Sequence, residues 1–390
     1  MKTAIMFGAG NVGRGFLGQL FHESGYEVYF VDIDTELINA INSTHSYPLH
    51  LVDNNSRQEL IISPVHGILA TDSEKVSQLI SKADIGATAV GARALNSIAP
   101  IIAKGIEKRA TTNQNPLNFI ICENLKEAAV YFQSLVSQYI SPEFGEYFTR
   151  SIGFVDTVIG RMVPPPTPEM RSSDPRLILV EPYKELPVDS KGFIGAPPQI
   201  VGMLPSDNFG AYTARKLYIH NCGHAILGYM GFLEGYNYGY EALEDHKIVE
   251  FLNYAWNESQ AGILAHYSVS EQWIQEHRND LIVRFKNRAL GDTIFRLGRD
   301  PIRKLAPNDR LVAPARLAEK AGVKPIYLAK AIAAAYCFSP LEDSLAQELQ
   351  ADILKNGLES VLKQVSEISP TESLGKMVIS EYKQIKSGIS

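Results

Sequence analysis

Cysteine is scarce in this chain: Cys122, Cys222 and Cys337 stand far apart, and no C-x-x-C pair occurs. This spacing argues against a disulfide framework or a zinc ribbon. Long apolar runs are also missing, since the longest, AIAAAYCF at 331–338, is far too short to span a bilayer. The start, MKTAIMFGAG, lacks the apolar core of a signal peptide. These absences predict a cytoplasmic protein with no membrane partner.

Positive charge is in short supply, because 37 lysine and arginine residues face 43 aspartate and glutamate residues, for a formal net charge of -6. Proteins that bind nucleic acid usually carry a strongly basic surface, so we expect no nucleic-acid partner. Hydrophobic residues make up 45% of the chain and charged residues 21%, as in ordinary globular proteins. The length of 390 residues predicts two or three domains.

Short apolar runs alternate with helix-like segments in the first third of the chain. The segment NVGRGFLGQLFHES (11–24) carries Val12, Phe16 and Leu20 at helical spacing, and Gly25 stands where a helix C-cap is expected. Continuous apolar strands separated by helices predict a parallel, doubly wound sheet. The runs interpreted as buried strands are TAIMF (3–7), VYFVDI (28–33), DIGATAV (84–90) and NFIICE (118–123).

Two proline-rich stretches, VPPPTPE (163–169) and GAPPQIVGMLPSD (195–207), predict irregular connections, and RLILVEPY (176–183) is compatible with one more strand. Beyond residue 207 the apolar residues follow a helical period almost throughout. We therefore predict an α/β Rossmann-type, doubly wound N-terminal domain over 1–200 and a mainly α-helical C-terminal domain over 201–390. The clearest amphipathic segments are 248–256, 324–338, 343–355 and 371–386.

The segment IMFGAGNVGRGFLG contains the pattern Gly8-x-Gly10-x-x-Gly13 after a predicted strand and at the start of a predicted helix, the context that a dinucleotide site requires. Gly8 would permit the tight turn, Gly10 would let a pyrophosphate approach the backbone, and Gly13 would let helix and strand pack closely. The helix N-terminus offers N–H groups to the phosphates, and Arg14 could add charge. The loop residues assigned to the cofactor are Gly8, Ala9, Gly10, Asn11, Val12 and Gly13.

Asp32 ends the second predicted strand. A carboxylate there accepts hydrogen bonds from the adenosine ribose and repels a 2′-phosphate, which favours NAD over NADP. Asp34 is a competing candidate, and Val90 and Gly91, after the third predicted strand, complete the predicted cofactor contacts. The alternative is a glycine-rich turn without a ligand, and the agreement of motif, context and carboxylate disfavours it.

The stretch KLYIHNCGHA places polar side chains in an otherwise apolar helix predicted over 208–230. At about 100° per residue, an arc of about 140° holds all four polar residues, which are Lys216, His220, Asn221 and His224. A lone buried histidine is more often a core residue, and a lone lysine is usually solvated. Convergence on one face instead indicates a polar cleft.

This set of side chains suits hydride transfer from a secondary alcohol, which needs a base for the hydroxyl proton and donors for the developing oxyanion. Apolar surroundings favour the neutral, basic form of a lysine amine, so Lys216 could act as the base. Asn221, one turn from His224, could donate an N–H to the reacting oxygen. Histidine and cysteine residues show no zinc-ligand spacing, so we expect no metal.

The chain resembles the polyol-specific long-chain dehydrogenases, because Lys216, Asn221 and His224 match their K-x4-N-x2-H arrangement. The resemblance covers nearly the whole chain, and its motifs are together very specific. They are FGAGNVGRGF (7–16), CEN (122–124), GFVDTVIGRMVPP (153–165), DNFGAYTARKLYIHNCGHA (207–225) and DPIRKLAPNDRL (300–311).

The resemblance implies a Rossmann domain and a helical domain with the active site between them, and it favours a monomer. It also implies reversible, metal-independent oxidation of mannitol 1-phosphate to fructose 6-phosphate with NAD. Lys216 would be the general base, and Asn124 and Asn221 would bind the oxyanion. His224 rather than His220 occupies the family position, so His224 would orient the substrate and His220 would have a packing or supporting role.

The chain departs from the resemblance at Gly160, where family members usually carry an aspartate immediately before the arginine that is Arg161 here. If that aspartate binds sugar hydroxyls, the substrate preference of this chain could differ. Asp156 remains, in a separate part of the motif. Arg161 and Asp156 are both expected to contact the substrate.

A basic segment, FRLGRDPIRKLAPNDRLVAPAR (295–316), holds six arginine or lysine residues and two aspartates in an acidic chain. Such a cluster suits a clamp for a phosphate or a carboxylate. The alternative is a solvated surface with ion pairs, which we expect for most of these side chains. Arg303 and Lys304 are predicted to bind the anionic end of the substrate.

Other functions stay open. A related enzyme, such as a hexuronate reductase or a free-mannitol 2-dehydrogenase, would use the same groups. A non-catalytic NAD-binding regulator would need the glycine loop but not Lys216, Asn221 and His224. Their presence therefore favours an enzyme with a small-molecule substrate.

Overall fold

The computed structural model describes residues 1–113 and 115–388. The chain divides into two compact units, Met1–Phe209 and Gly210–Ser390. The domain boundary predicted between residues 200 and 201 lies shortly before this division. No helix among the described residues has both the length and the apolar character needed to cross a membrane.

A parallel sheet forms the centre of the first unit. Its strands are β1 (Lys2–Phe7), β2 (Tyr26–Asp32), β5 (Val65–Leu69), β6 (Ile85–Thr88), β7 (Leu117–Ile121) and β8 (Ile152–Asp156). Over the described residues they lie in the order β5-β2-β1-β6-β7-β8, and each neighbouring pair is parallel. The order reverses between β1 and β6, as in a doubly wound sheet, so the predicted fold class is confirmed.

The four runs predicted as buried strands correspond to β1, β2, β6 and β7. In β1, Ala4 and Met6 join one apolar cluster, whereas Ile5 and Phe7 join the cluster on the opposite face. Because helices cover both faces, every second residue still meets apolar surroundings. A strand of this kind therefore appears in the sequence as a continuous apolar run.

Two smaller sheets lie outside the four predicted strands. β3 (Tyr47–Val52) pairs antiparallel with β4 (Arg57–Ile62) and parallel with β9 (Ile178–Val180), which lies inside the predicted segment 176–183. β10 (Leu186–Asp189) pairs with β11 (Met203–Ser206). Most residues of β4 and β11 are exposed or half-buried, so no apolar run marks these strands in the sequence.

The helices of the first unit pack on the parallel sheet through its two apolar clusters. The predicted helix 11–24 consists of a wider turn, Gly13–Leu17, followed by a short α-helix, and Gly25 ends it with a φ of +79°, as predicted. The α-helices are α1 (Gly18–Glu23), α2 (Thr35–Thr44), α3 (Ser73–Lys82), α4 (Leu95–Thr112), α5 (Ala128–Ser137), α6 (Gly145–Ser151) and α7 (Pro168–Ser173).

The second unit is almost entirely helical, and the amphipathic segments predicted in it are helices. Its α-helices are α8 (Phe209–Arg215), α9 (Cys222–Leu233), α10 (Gly239–Ala242), α11 (His246–His266), α12 (Glu271–Phe285), α13 (Ile294–Gly298), α14 (Pro301–Lys304), α15 (Val312–Lys320), α16 (Ile326–Cys337), α17 (Ser344–Asn356), α18 (Leu358–Ser366) and α19 (Ser373–Gly388). α9 carries His224 and directly follows Lys216 and Asn221. It packs against α11, α13 and α16, and this packing fixes its position in the unit.

A buried carboxylate joins two of these helices. Glu258 of α11 accepts the backbone N–H groups of Tyr327 and Leu328, each at 2.9 Å, at the start of α16. The α16 N-terminus has no side-chain cap of its own, so Glu258 satisfies donors that would otherwise be orphaned. Burial raises the pKa of Glu258, while these bonds to its carboxylate act in the opposite direction.

Candidate active site

The glycine loop of the first unit is tight at both ends and open in the middle. Gly8 has a φ of +98°, and an added Cβ there would run into the carbonyl of Ala89. An added Cβ at Gly13 would run into the carbonyl of Gly8. At Gly10, by contrast, an added Cβ would meet no described atom within 4 Å. The backbone at Gly10 therefore offers the space that a pyrophosphate needs.

The loop leads into a helical turn that is wider than an α-turn. Gly18 donates its N–H to the carbonyl of Gly13, five residues earlier, so Gly13–Leu17 forms a π-helical turn, which we call the first wide turn. Such turns are rare in proteins, and many of those that occur lie at functional sites.

Arg161 holds the first wide turn by hydrogen bonds. Its guanidinium donates to the carbonyl of Gly15 at 3.0 Å, to Oε1 of Gln19 at 2.7 Å and to the carbonyl of Glu181 at 2.9 Å. The side chain is only 5% exposed. These contacts suit a structural support of the cofactor loop better than substrate binding, and the predicted substrate contact of Arg161 stays a prediction.

Arg14 and Tyr47 complete the buried surroundings of this turn. The hydroxyl of Tyr47 donates to the carbonyl of Arg14 at 2.7 Å, and Nε of Arg14 donates to the carbonyl of Ala9 at 2.5 Å. Burial lowers the pKa of Arg14. The guanidinium that was expected to add charge for the phosphates is therefore engaged with backbone oxygens instead.

Asp32 lies at the carboxyl end of β2, where the glycine loop passes. Its carboxylate accepts the N–H of Ala9 at 2.6 Å and those of Ile33 and Asp34 at 2.7 and 3.1 Å. The side chain of Asp34 instead caps α2 by accepting the N–H of Leu37 at 3.0 Å. Of the two aspartates, Asp32 is thus the one placed beside the loop.

The turn after β6 is held by a residue that the sequence analysis did not single out. Glu123 accepts the N–H of Val90 at 2.9 Å and that of Gly91 at 2.8 Å, and Gly91 has a φ of +88°. Burial raises the pKa of Glu123 despite these hydrogen bonds. Asn124 follows directly and is exposed. In the sequence, only the motif CEN (122–124), shared with the polyol-specific dehydrogenases, pointed to Glu123.

Asp156 and Gly160 have clear local surroundings in the first unit. Asp156 accepts the N–H of Ala129 at 2.9 Å, at the start of α5, and burial raises its pKa. This contact suits a helix cap, and the predicted substrate contact of Asp156 stays a prediction. An added Cβ at Gly160 would lie 2.9 Å from Cε1 of Tyr183, so the tyrosine ring stands where a larger residue would need space.

The second unit contains another widened turn, in the helix that carries the predicted catalytic residues. Cys222 donates its N–H to the carbonyl of Leu217, five residues earlier, and Lys216–Asn221 forms the second wide turn. The regular helix predicted over 208–230 is therefore interrupted. A π-helical turn closes over five residues, so we infer that it brings Asn221 about one turn above Lys216 instead of about 140° around the helix from it.

The predicted catalytic residues are more accessible than the histidine beside them. Lys216, Asn221 and His224 are half-buried, as are Leu217 and Tyr218, whereas Ile219 and His220 are fully buried. Each of the three predicted side chains thus keeps a partly accessible surface. This agrees with the supporting role expected for His220.

Neutral imidazole rings pack beside Lys216. The ring of His224 stacks on Phe285 at 4.1 Å and meets the edge of His220 at 4.9 Å, and His277 lies 6.3 Å from His220. Burial, reinforced by positive charge that includes Lys216, lowers the pKa of His220, His224 and His277 well below its usual value. Within residues 1–113 and 115–388, each ring has one buried nitrogen without a hydrogen-bond partner.

The two residues predicted to bind an anion differ in their surroundings. Lys304 is buried, and its ammonium donates to the carbonyls of Leu297 and Arg299. Burial lowers the pKa of Lys304 to about 6, which disfavours its charged form. Arg303 is half exposed and pairs with Asp300 at 2.8 Å. The anion-binding role of both stays a prediction, and the contacts favour Arg303.

Among the described residues, no group of three or more histidine, cysteine, aspartate or glutamate side chains is placed to hold a metal ion.

Comparison with known families covers nearly the whole chain. Residues 2–202 match the mannitol dehydrogenase Rossmann domain, and residues 208–386 match the mannitol dehydrogenase C-terminal domain. The chain belongs to the mannitol dehydrogenase family. The resemblance to polyol-specific dehydrogenases is thereby confirmed, and this family member is an NAD-dependent oxidoreductase.

Individual relatives of this family member extend over the same length. Mannitol-1-phosphate 5-dehydrogenase of Oceanobacillus iheyensis is 37% identical, over 99% of this chain and 100% of the relative. The enzyme of the same name from Geobacillus stearothermophilus is 37% identical, over 98% of this chain and 100% of the relative. Among solved structures, Pseudomonas fluorescens mannitol 2-dehydrogenase in ternary complex with NAD and D-mannitol has a TM-score of 0.77 at 13% identity, covering 99% of this chain and 92% of that one. This likeness concerns the fold alone.

The glycine loop provides a matched pair of variants for NAD binding. Gly10→Ala is expected to leave the free energy of unfolding of the cofactor-free protein unchanged within about 0.5 kcal/mol, because the added Cβ meets open space. It should weaken NAD binding about tenfold or more, since the Cβ occupies the space for the pyrophosphate. Gly13→Ala should also cost about 1–3 kcal/mol of stability, because its Cβ collides with the carbonyl of Gly8.

Both quantities can be measured by urea unfolding without cofactor and by fluorescence titration with NADH. If Gly10→Ala binds NADH as the unmodified protein does, the pyrophosphate does not approach Gly10. If Gly13→Ala is as stable as Gly10→Ala, the close packing at Gly13 is not required.

The depressed pKa values of His220, His224 and His277 predict a dependence of stability on pH. Since their folded pKa values are depressed, the unfolded chain binds protons below about pH 6.5 that the folded chain does not, and stability falls as the pH is lowered. His277→Gln is expected to reduce the difference in unfolding free energy between pH 7.5 and 5.5 by about 1 kcal/mol. The exposed His246 provides the control, because His246→Gln should leave the difference unchanged. Equal pH dependence in the His277 variant and the unmodified protein would contradict the burial of a neutral His277.

Proposed function

We propose that the protein catalyses the reversible, NAD-dependent oxidation of mannitol 1-phosphate to fructose 6-phosphate. The observation that carries the proposal is the partial exposure of Lys216, Asn221 and His224 along a helix in which the neighbouring Ile219, His220 and Cys222 are buried. The names of the relatives support the choice of substrate, since four mannitol-1-phosphate 5-dehydrogenases are 34–37% identical over 98–99% of this chain.

Lys216 is the general base of this proposal. Its neutral amine takes the proton of the substrate hydroxyl while the hydrogen on the same carbon leaves as a hydride, so that the C–O bond becomes a carbonyl. NAD, when bound, accepts that hydride. In the direction of reduction, the protonated amine returns the proton to the oxygen. The reaction is balanced without a metal, and we propose that no metal takes part.

Asn221 and His224 act on the oxygen and on the position of the substrate. The amide of Asn221, brought over Lys216 by the second wide turn, donates to the oxygen as negative charge develops. The ring of His224 is held by Phe285 and His220, and its Nε2, which has no hydrogen-bond partner among the described residues, is the atom that would bond a substrate hydroxyl. The predicted role of Asn124 as a second donor, from an exposed position in the first unit, stays a prediction.

The half-exposed guanidinium of Arg303 is the better of the two predicted groups for the substrate phosphate. Its bond to Asp300 uses Nε, which leaves the two terminal nitrogens to face a phosphate, although one lies 3.8 Å from Asp309. Lys304 would bind a phosphate poorly, because its amine already donates to two carbonyls.

The direct test is NADH formation by the purified protein given NAD and mannitol 1-phosphate, with free mannitol and NADP as parallel controls. We expect turnover with the phosphate ester and NAD, little with free mannitol, and little with NADP because of Asp32. Reduction of a hexuronate by NADH, without turnover of either mannitol compound, would replace the proposed substrate. NADH binding without turnover of any of these compounds would indicate a regulator.

Replacement of Lys216 tests the assignment of the base. Lys216→Ala is expected to lower the rate of alcohol oxidation by about 10²–10⁴-fold and to remove its rise with pH, because no neutral amine remains to take the proton. NAD binding should be unchanged, because the glycine loop is intact. Steady-state rates between pH 6 and 10 and NADH titration provide the measurements. The exposed Lys320 offers a matched control, since Lys320→Ala should keep both properties, and a comparable loss of NAD binding in Lys216→Ala would refute the assignment.

A further inference from the structure

The second wide turn receives a hydrogen bond from outside its own helix. The indole Nε1 of Trp256, in α11, donates to the carbonyl of Ile219 over 2.8 Å. The N–H of Cys222 is directed both at this carbonyl and at that of Leu217, so it is shared between a tighter and a wider turn. Insertion of a side chain at such a carbonyl is a recognised cause of a break in the α-helical ladder.

Trp256 packs so closely against the helix that position 223 has to be glycine. An added Cβ at Gly223 would lie 2.7 Å from Cζ2 and 3.1 Å from Nε1 of Trp256. Trp256 is fully buried, and its single N–H needs an acceptor, which is the carbonyl of Ile219. The ring also has Arg278 and Phe285 as neighbours, at 5.5 and 6.5 Å from its centre. Packing of the ring is therefore separable from donation by its N–H.

The first wide turn is supported in the same way by residues unrelated in sequence. Arg161 donates to the carbonyl of Gly15, and Tyr47 donates to the carbonyl of Arg14. In both units, buried side chains that are distant in sequence thus donate to carbonyls of the widened turn. A carbonyl tilted out of the regular ladder and buried away from water needs such a donor.

We propose that Trp256 is a positioning residue that fixes the width of the second wide turn and thereby aligns Asn221 with Lys216. Without its N–H, the turn can return to α-helical spacing, which would place Asn221 about 140° around the helix from Lys216. The amide would then no longer face the oxygen from which Lys216 removes the proton. Trp256 acts through Asn221 and touches neither substrate nor cofactor. The proposal rests on the proposed function only where turnover is the readout.

Trp256→Phe removes the donor and keeps most of the ring. We expect kcat for mannitol 1-phosphate oxidation to fall about 10–100-fold, because a displaced oxyanion donor loses much of its effect, while the Kd for NADH stays within about twofold. In the Asn221→Ala background, the same change should cost less than about threefold, since its target is already gone. Equal factors in both backgrounds would overturn the proposal.

Tyr336→Phe is the matched control, because it also removes one buried hydrogen bond of an aromatic residue, that between the Tyr336 hydroxyl and Ser366. It should lower stability by about 1 kcal/mol without lowering kcat. A fall in kcat equal to that of Trp256→Phe would mean that general loosening of the second unit, and not the turn, is responsible.

Amide hydrogen exchange tests the turn without any substrate. Trp256→Phe should speed exchange in peptides covering 216–222 but not in those covering α16, and Tyr336→Phe should not affect 216–222. Unchanged exchange at 216–222 in Trp256→Phe would overturn the proposal, whatever the activity. If the unmodified protein turns over none of the tested polyols, the proposed function fails, and the exchange result alone decides the role of Trp256.

Discussion

A buried backbone carbonyl that leaves the regular hydrogen-bond ladder of an α-helix needs a hydrogen-bond donor from elsewhere in the chain. The predicted binding of the cofactor and the predicted proton transfer both depend on such donors. The first wide turn follows the glycine loop and rests on Arg161 and Tyr47. The second wide turn carries Lys216 and Asn221 and rests on Trp256. The positions of the reactive groups are thus set by buried donors that take no part in the reaction.

Buried carboxylates provide the complementary support, because they accept backbone N–H groups where helices and turns begin. Glu123 holds the turn at Val90 and Gly91, and Glu258 holds the start of α16. Each carboxylate is only 7% exposed, so its hydrogen bonds form in surroundings where water competes little. Around each candidate site, buried polar side chains therefore hold the backbone by hydrogen bonds, although most of the surrounding residues are apolar.

The sequence predicts those parts of the structure whose physical cause is local. β6 and β7 are buried throughout, and β1 and β2 are buried at most of their residues, so their apolar runs reveal them, whereas β4 is mostly exposed and leaves no such signal. The glycine pattern and the polar stripe at 216–224 were visible for the same reason. The alignment of the stripe was not, because the second wide turn depends on a donor 37 residues away in sequence.

Charge in a sequence likewise does not reveal the partner of that charge. Arg161 and Lys304 are predicted to meet the substrate, yet both donate hydrogen bonds to backbone carbonyls inside their own units. A long cationic side chain can stabilise a helix end as readily as it binds a phosphate. Burial distinguishes these uses, and burial depends on the fold of the whole unit.

The second wide turn also constrains which residues can change independently during evolution. A widened turn absorbs one additional residue while the helix beyond it keeps its orientation. In a homologue with three residues instead of four between the lysine and the asparagine, an ordinary α-turn would bring the two within about 40° of each other. Such a protein would need neither an indole donor nor a glycine against it. The spacing of the catalytic pair and the contact between Trp256 and Gly223 are therefore expected to be inherited, or lost, together.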